Sequence, residues 1–282
     1  MQKVGPEFLQ LPNVASAKLG AKTVYANNEY FGAKENLLKA GRGNGFFDEN
    51  GKSTDAWVTR RRRNVDGRDW CIIQLAAPTI LHGVEIDTHN FEGNFPPFAS
   101  VQACWAKPNS SVEYLTSERF KWTDVLNKMS LQPHQQNFFR LKKEGRFTHL
   151  KLNIYPDGGI SRFKAYGQIK RSLDKWPKSK SIDLAAMLNG ARAIMCNDMF
   201  FGHINNLTLP FKSEGMSDSW HTRRSRLKNN FDWAIIKLAA AGYIKKIEVD
   251  TSHFIENYPY FCSLEGCEAV SYTHLTLPTN GC

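Results

Sequence analysis

Short apolar runs separated by breakers set the pattern of the chain. "WCIIQL", "LHGVEID", "FASVQACW" and "HLKLNIY", then "WAIIKL", "IKKIEVD" and "FCSLEGC", are rich in Ile, Val, Leu and aromatics and partly alternate with polar residues. Runs of this length and period predict strands of an antiparallel sandwich rather than helices between parallel strands. Helices are expected only as brief additions, and "SERFKWTDVLNKM" is one candidate, because Phe120, Val125 and Leu126 can share a face; a long connection between strands is the alternative. Pro156, Asp157, Gly158 and Gly159 predict a tight turn between two strand-like runs.

The pattern occurs twice. Asp55 to Phe91 aligns without a gap onto Asp218 to Phe254, with seventeen of 37 positions identical. That density of identity in a segment of varied composition requires a duplication. Its length makes the repeat a domain-sized unit rather than a solenoid turn. "NFPPFASVQAC" continues the match as "NYPYFCSLEGC", and at a different offset "NNEYFGAKENLL" answers "CNDMFFGHINNL". The expected units are 1–170 and 183–269, joined through "QIKRSLDKWPKSKSIDLAAM". The second reads as truncated, since "THLKLNIYPDGGISRFKAYG" has no second copy, and 270–282 reads as an atypical, foreign tail. Loss of closing strands would leave an apolar sheet face and backbone groups unsatisfied.

Composition narrows the setting. A chain of 282 residues with 41% hydrophobic and 23% charged residues can build sizeable cores without a metal or disulfide staple. It has no apolar run of membrane-spanning length and no secretory leader, so the expected setting is intracellular and without a membrane partner. Six cysteines are too sparse for a disulfide scaffold, and reduced thiols are expected. Cys262 and Cys267 lack zinc-knuckle spacing. The net charge of +10 favours anionic partners in general.

The chemistry-bearing block is "DAWVTRRRRNVDGRDW". Arg60, Arg61 and Arg63 recur as Arg223, Arg224 and Arg226, whereas Ser225 replaces Arg62, which points to positional roles for the three retained arginines. Each can clamp a carboxylate or pin a loop by pairing with Asp69 or Asp232. Nucleic-acid binding ranks lower, since no reader motif accompanies the run. The bracketing Trp57, Trp70, Trp220 and Trp233 are expected to fill the two cores. "EIDTHNF" places Glu85, Asp87, Thr88 and His89 at a strand end, where alternation sets Thr88 apart from the two acids and a turn bond competes with a catalytic role for Asp87. His89 aligns with Ser252 and His253 with Asn90, so the two copies are not chemically equivalent. His82, His89, His149, His203, His221 and His253 show no tight metal spacing; the cofactor is unknown, and a divalent metal stays open without a clear ligand motif.

These stretches together, with "HLKLNIYPDGGISRFKAYG", resemble the allantoicase (allantoate amidinohydrolase) family from about Gly20 to Cys267. The resemblance implies an all-β chain of two jelly-roll β-sandwich domains of the galactose-binding type. It also implies a hydrolase cutting a linear amidine-type C–N bond in purine breakdown, turning allantoate into ureidoglycolate and urea. A cytoplasmic or peroxisomal setting and a homo-oligomer fit it, with allantoate the small anionic partner. Such a reaction needs a group to activate water and a proton source for the departing nitrogen. The expected roles are the substrate carboxylate on Arg60, Arg61 or Arg63, with Arg223 and Arg224 as their second-copy equivalents. Water activation falls to Asp87 or Glu85, proton transfer or ureido orientation to His89, and orientation of a ureido oxygen to Asn94 and Asn257. The competing expectation is a noncatalytic protein that binds a small ligand, because the architecture alone does not imply catalysis.

Overall fold

Alternation in the first half of the chain sorts residues between two faces: Cys71, Ile73 and Leu75 enter the main core, while Ile72 joins a smaller cluster with Cys104, Ala106 and Leu115. The computed structural model describes residues 6–268 apart from 44, 49–50, 64–65, 142–144, 174–175, 178 and 228. The expected foreign tail, 270–282, lies outside the described residues. The strands of the first unit are β1 (Lys22–Ala26), β2 (Gly45–Asp48), β3 (Gly51–Thr54), β4 (Trp57–Val58), β5 (Asp69–Asp87) and β6 (Phe98–Cys104). They continue with β7 (Thr123–Ser130), β8 (Gln136–Arg140), β9 (Arg146–Tyr155), β10 (Gly159–Ile160) and β11 (Arg162–Ile169).

β5 belongs to two layers. Its first part lies between β1 and β9, with β6 and β7 beyond them, and its second part lies between β8 and β11. The register breaks between Gln74 and Thr79, where Pro78 cannot donate to a ladder, and there the chain turns the corner from one layer to the other. Leu37, Trp57, Val84, Ile86, Val101, Leu150, Leu152, Ile154, Ile160 and Phe163 fill the space between the layers.

The ladders are antiparallel, so their registers decide what gathers at each end. Asp69 faces Ile154, Phe98 faces both Tyr155 and Ser130, and Asp87 faces both Arg162 and Gln136. The arginine segment, the turn after Asp87 and the turn after Tyr155 therefore meet on one rim of the sandwich.

The helix expectation is corrected. The segment forms no helix: α1, Val112–Thr116, capped by the Ser111 side chain accepting from the Tyr114 N–H at 3.2 Å, ends just before it, and from Thr123 the segment enters β7. The open edge of β6 needs a partner, and pairing of Leu126 with Val101 outweighs a helical stripe of only three residues. The tryptophans also divide: Trp57 is wholly buried, whereas Trp70 sits half-buried on the outer face, its ring 5.4 Å from that of Tyr25. Trp220 and Trp233 are likewise only half-buried.

The second unit repeats the opening moves. β12 (Arg192–Cys196) pairs with β13 (Ala234–Lys237) and carries the same one-residue bulge that β1 shows against β5. "IKKIEVD" and "FCSLEGC", expected as strands, form none, and Ile244, Ile247, Val249, Phe261 and Leu264 stand exposed. In the first unit the matching residues are held by β7, β8, β9 and β11, and no counterparts of those four strands occur among the described residues. Without a neighbour, a strand has no ladder to join.

His149, on β9, is buried with its Nδ1 2.9 Å from Thr148 Oγ1, and burial pushes its imidazole down to about 4. The unfolded chain therefore binds this proton more readily than the folded one. Stability from this group is complete above the ordinary histidine range near 6.5 and falls as pH drops from there to about 4, by ~1.4 kcal/mol per pH unit at most. Urea titrations from pH 7 to 4.5 should show that slope, and His149→Asn should flatten it.

Candidate functional site

Pairing of β4 with β10 runs the arginine segment alongside the turn at Pro156 to Gly159. The Thr59 N–H donates to the Gly158 carbonyl at 3.1 Å, the Gly158 N–H returns a bond to Thr59 Oγ1 at 3.2 Å, and the Arg62 N–H donates to Asp157 Oδ2 at 2.7 Å. Gly158 has φ +140°, and a Cβ there would stand 2.6 Å from the Pro96 nitrogen; a Cβ on Gly159 would stand 2.0 Å from the Phe91 ring. Only glycine lets this turn wedge between the arginine segment and the loop after His89. Gly159→Ala should cost about 1–2 kcal/mol by overpacking Phe91, read as a lower midpoint in denaturant.

The four arginines have separate fates. Arg62, the member without a second copy, is the structural one: its Nε and Nη2 donate to Asp69 Oδ1 at 2.9 and 2.7 Å, and Asn27 Nδ2 donates to the same oxygen at 3.0 Å. In the second unit Asp232 instead accepts from Thr222 Oγ1 and Asn197 Nδ2, both at 2.7 Å, so Ser225 suffices. The guanidinium of Arg60 lies 3.9 Å above the Tyr30 ring. Arg60, Arg61 and Arg63 are exposed, and among the described residues none forms an ion pair. Arg223 donates through Nε to Asp198 Oδ2 at 2.7 Å, and that bond holds the Asp198 carboxyl below the usual carboxylate range. Arg224 is exposed and, among the described residues, makes no ion pair.

The turn after β5 gathers the expected acid and histidine. Asp87 Oδ1 accepts the His89 N–H at 2.9 Å, the competing turn bond, while Oδ2 has no hydrogen-bond partner among the described residues. The Ser161 hydroxyl donates to the His89 carbonyl, and the Ser161 N–H donates to the Asp87 carbonyl at 2.8 Å. The His89 ring lies 4.7 Å from the ring of His134, whose Nδ1 accepts the Asn90 N–H at 3.1 Å. Asn90 takes φ +69°, and His253 takes φ +72° at the aligned position. The second unit's histidine thus occupies the place of Asn90 rather than that of His89. Its Asp250 repeats the turn bond, accepting the Ser252 N–H at 2.8 Å. Asn94 exposes its side chain while its carbonyl accepts the Gly159 N–H at 3.0 Å.

Glu85 points away from the core, as Asp87 does, yet lies buried and engaged on both oxygens. Gln136 Nε2 and Lys164 Nζ reach Oε1 at 2.8 and 2.9 Å, and the Tyr166 hydroxyl donates to Oε2 at 2.8 Å. Burial, then the Glu85 charge, pushes the Tyr166 hydroxyl up, so it remains a donor. A carboxylate held by three donors is a clamp between β5, β8 and β11, with no free oxygen for water activation.

Sequence reasoning missed Arg162 and His134. Arg162 is buried, donates to Asp55 Oδ2 at 2.5 Å and to the Asp55 and Ser161 carbonyls at 2.6 and 2.7 Å, and leaves Nε without a partner. Burial pushes the Asp55 carboxyl up, and its bonds from Lys39 and Arg162 more than offset this. Neither residue had a described second-copy match to mark it. Among the described residues no three His, Cys, Asp or Glu side chains group as a metal-binding set, and no helix is long and apolar enough to cross a membrane.

With this geometry in place, comparison with known proteins is specific. The family model "Allantoicase repeat" matches residues 12–170 and again 182–279. A Burkholderia mallei protein named "Probable allantoicase 1" is 38% identical over 278 residues, covering 97% of this chain and 80% of the relative. A similarly named Photobacterium profundum protein is 39% identical over 264 residues, covering 92% and 77%. The crystal structure of allantoicase from Saccharomyces cerevisiae matches with a TM-score of 0.67 at 35% identity, over 81% of this chain and 68% of that one.

Proposed function

The chain belongs to the allantoicase family, and on that premise we propose that it hydrolyses allantoate to ureidoglycolate and urea on the loop rim of its first unit. The observation that carries the placement is the turn at Asp87 to His89. Among the described residues it leaves Asp87 Oδ2 and the His89 imidazole, two residues apart in one turn, without a hydrogen-bond partner. Elsewhere on the rim, Arg60 offers a positive charge that no acid among the described residues neutralises.

Allantoate carries a carboxylate and two ureido groups on one carbon. Asp87 takes a proton from water, whose oxygen bonds to that carbon as its bond to one ureido nitrogen breaks. His89 supplies the proton that the departing nitrogen needs, and urea leaves. Arg60 receives the substrate carboxylate, a planar fork meeting two oxygens, with Arg61 and Arg63 adding field from the same exposed loop. Asn94, on the loop packed against Gly158 and Gly159, orients a ureido oxygen. Arg223, tied to Asp198, and Glu85, saturated by its donors, take no part.

Adding allantoate to the full chain should release urea and ureidoglycolate in equal amounts. Ligand-dependent stabilisation with no urea would favour the noncatalytic reading, and association with generic duplexes that weakens steeply with salt would favour nucleic acid.

A further inference from the structure

The duplication allows a comparison that a single domain would not. Asn28 in the first unit and Asp198 in the second hold the same station. Asn28 Oδ1 accepts the Tyr30 and Arg60 N–H groups at 3.2 and 3.1 Å, and Asp198 Oδ1 accepts the Phe200 and Arg223 N–H groups at 2.8 and 3.4 Å. The carbonyl of each accepts the equivalent tryptophan, Trp57 Nε1 at 2.9 Å and Trp220 Nε1 at 2.8 Å. Both arginines lie over the equivalent aromatic ring, Arg60 over Tyr30 at 3.9 Å and Arg223 over Phe200 at 5.2 Å.

Two backbone donors fix the Asn28 amide with its oxygen toward them, so its orientation is settled by the network. The atom left to face the arginine is then Nδ2, a donor, where Asp198 presents Oδ2, an acceptor. In the second unit that acceptor draws Arg223 into an ion pair and off the centre of its ring. In the first unit two donors cannot pair with each other, and the guanidinium settles on Tyr30 with its N–H edges unpaired among the described residues.

We propose that Asn28 Nδ2 and the Arg60 guanidinium, on the Tyr30 platform, form a carboxylate-binding subsite in the first unit, and that the same station in the second unit is silenced internally by Asp198. This rests on the reading above that Arg60 takes the substrate carboxylate, and it adds the second donor and the stoichiometry. One oxygen of the carboxylate meets the guanidinium and the other meets the amide. A ligand with a neutral amide in place of the carboxylate loses the charge-assisted bonds. One carboxylate per chain is expected, despite two arginines at matched positions.

The test exchanges the two residues. N-Carbamoylglycine, which carries a carboxylate and one ureido group on one carbon, serves as the probe, with N-carbamoylglycinamide as its neutral counterpart. Calorimetric titration of the full chain should find one site that prefers the acid. Asn28→Asp should weaken that site at least ~tenfold, the cost of losing a charge-assisted pair and facing a carboxylate in its place. Asp198→Asn should raise the number of bound carboxylates from one to two. Each variant copies a geometry that the chain already holds elsewhere, so thermal midpoints within a few degrees of the parent are expected. Unweakened binding in Asn28→Asp, or two sites in the parent, would overturn the proposal. If binding follows this pattern while no urea is ever released, the subsite stands and the hydrolytic reading fails.

Discussion

Asp87→Asn is expected to cut urea release from allantoate by ~10²–10⁴-fold, the range for loss of a positioned general base. The asparagine keeps an Oδ1 acceptor for the His89 N–H, which Asp87 now holds at 2.9 Å, so the turn should survive while the base is lost. Asp87→Ala removes the turn bond as well and should add a stability loss of about 1 kcal/mol. The paired variants therefore separate chemistry from architecture. A fall in kcat with unchanged thermal midpoint in Asp87→Asn is the expected signature, and equal turnover in Asp87→Asn and the parent would remove Asp87 from the reaction.

The largest effect on stability is expected at Arg62. Arg62→Ser copies the second unit, but that unit satisfies Asp232 with the Thr222 hydroxyl and Asn197. In the first unit the Thr59 hydroxyl accepts from the Gly158 N–H and donates to the Gly158 carbonyl, and among the described residues Asp69 has only Asn27 besides the arginine. Asp69 is fully buried and its Oδ2 already lacks a partner, so removing Arg62 leaves an uncompensated charge. The cost should be about 3 kcal/mol, the low end for a broken buried pair because Arg62 itself is partly exposed. Arg61→Ser and Arg63→Ser, at exposed positions, should stay within about 0.5 kcal/mol. Urea denaturation of the three variants at constant pH checks this ordering, and equal stability of Arg62→Ser and the parent would contradict it.

Period and repetition carried most of the fold in the sequence. The runs around Cys71 to Leu75, Val84 to Asp87 and Leu150 to Ile154 became strands because alternation and β-branched residues agree there with burial. Two features escaped. β7 was ambiguous because Val125 and Leu126 are both buried, side by side at a register shift, which breaks the period of two that marks a strand. "IKKIEVD" had the right pattern without the neighbours that turn pattern into sheet.

The candidate site was legible in part. The turn at Asp87 to His89 and the arginine segment stood out through repetition, and they do share one rim. Repetition misled at Arg62, because absence from one copy meant that another residue had taken over the acid. Glu85 looked available because its donors, Gln136, Lys164 and Tyr166, come from strands distant in sequence. His134 and Arg162 reach the rim only through folding, and no local signal marks either. The contrast between Asn28 and Asp198 is a one-atom difference whose meaning depends on knowing which oxygen the backbone has already claimed.

The central claim, hydrolysis of allantoate on the rim of the first unit, is tested most directly by following urea and ureidoglycolate together as the full chain consumes allantoate. One urea for each ureidoglycolate from the parent, with release lost in Asp87→Asn at unchanged stability, is the predicted result. Allantoate bound by the parent chain without any urea formed, or urea formed as fast by the Asp87→Asn chain, would contradict it.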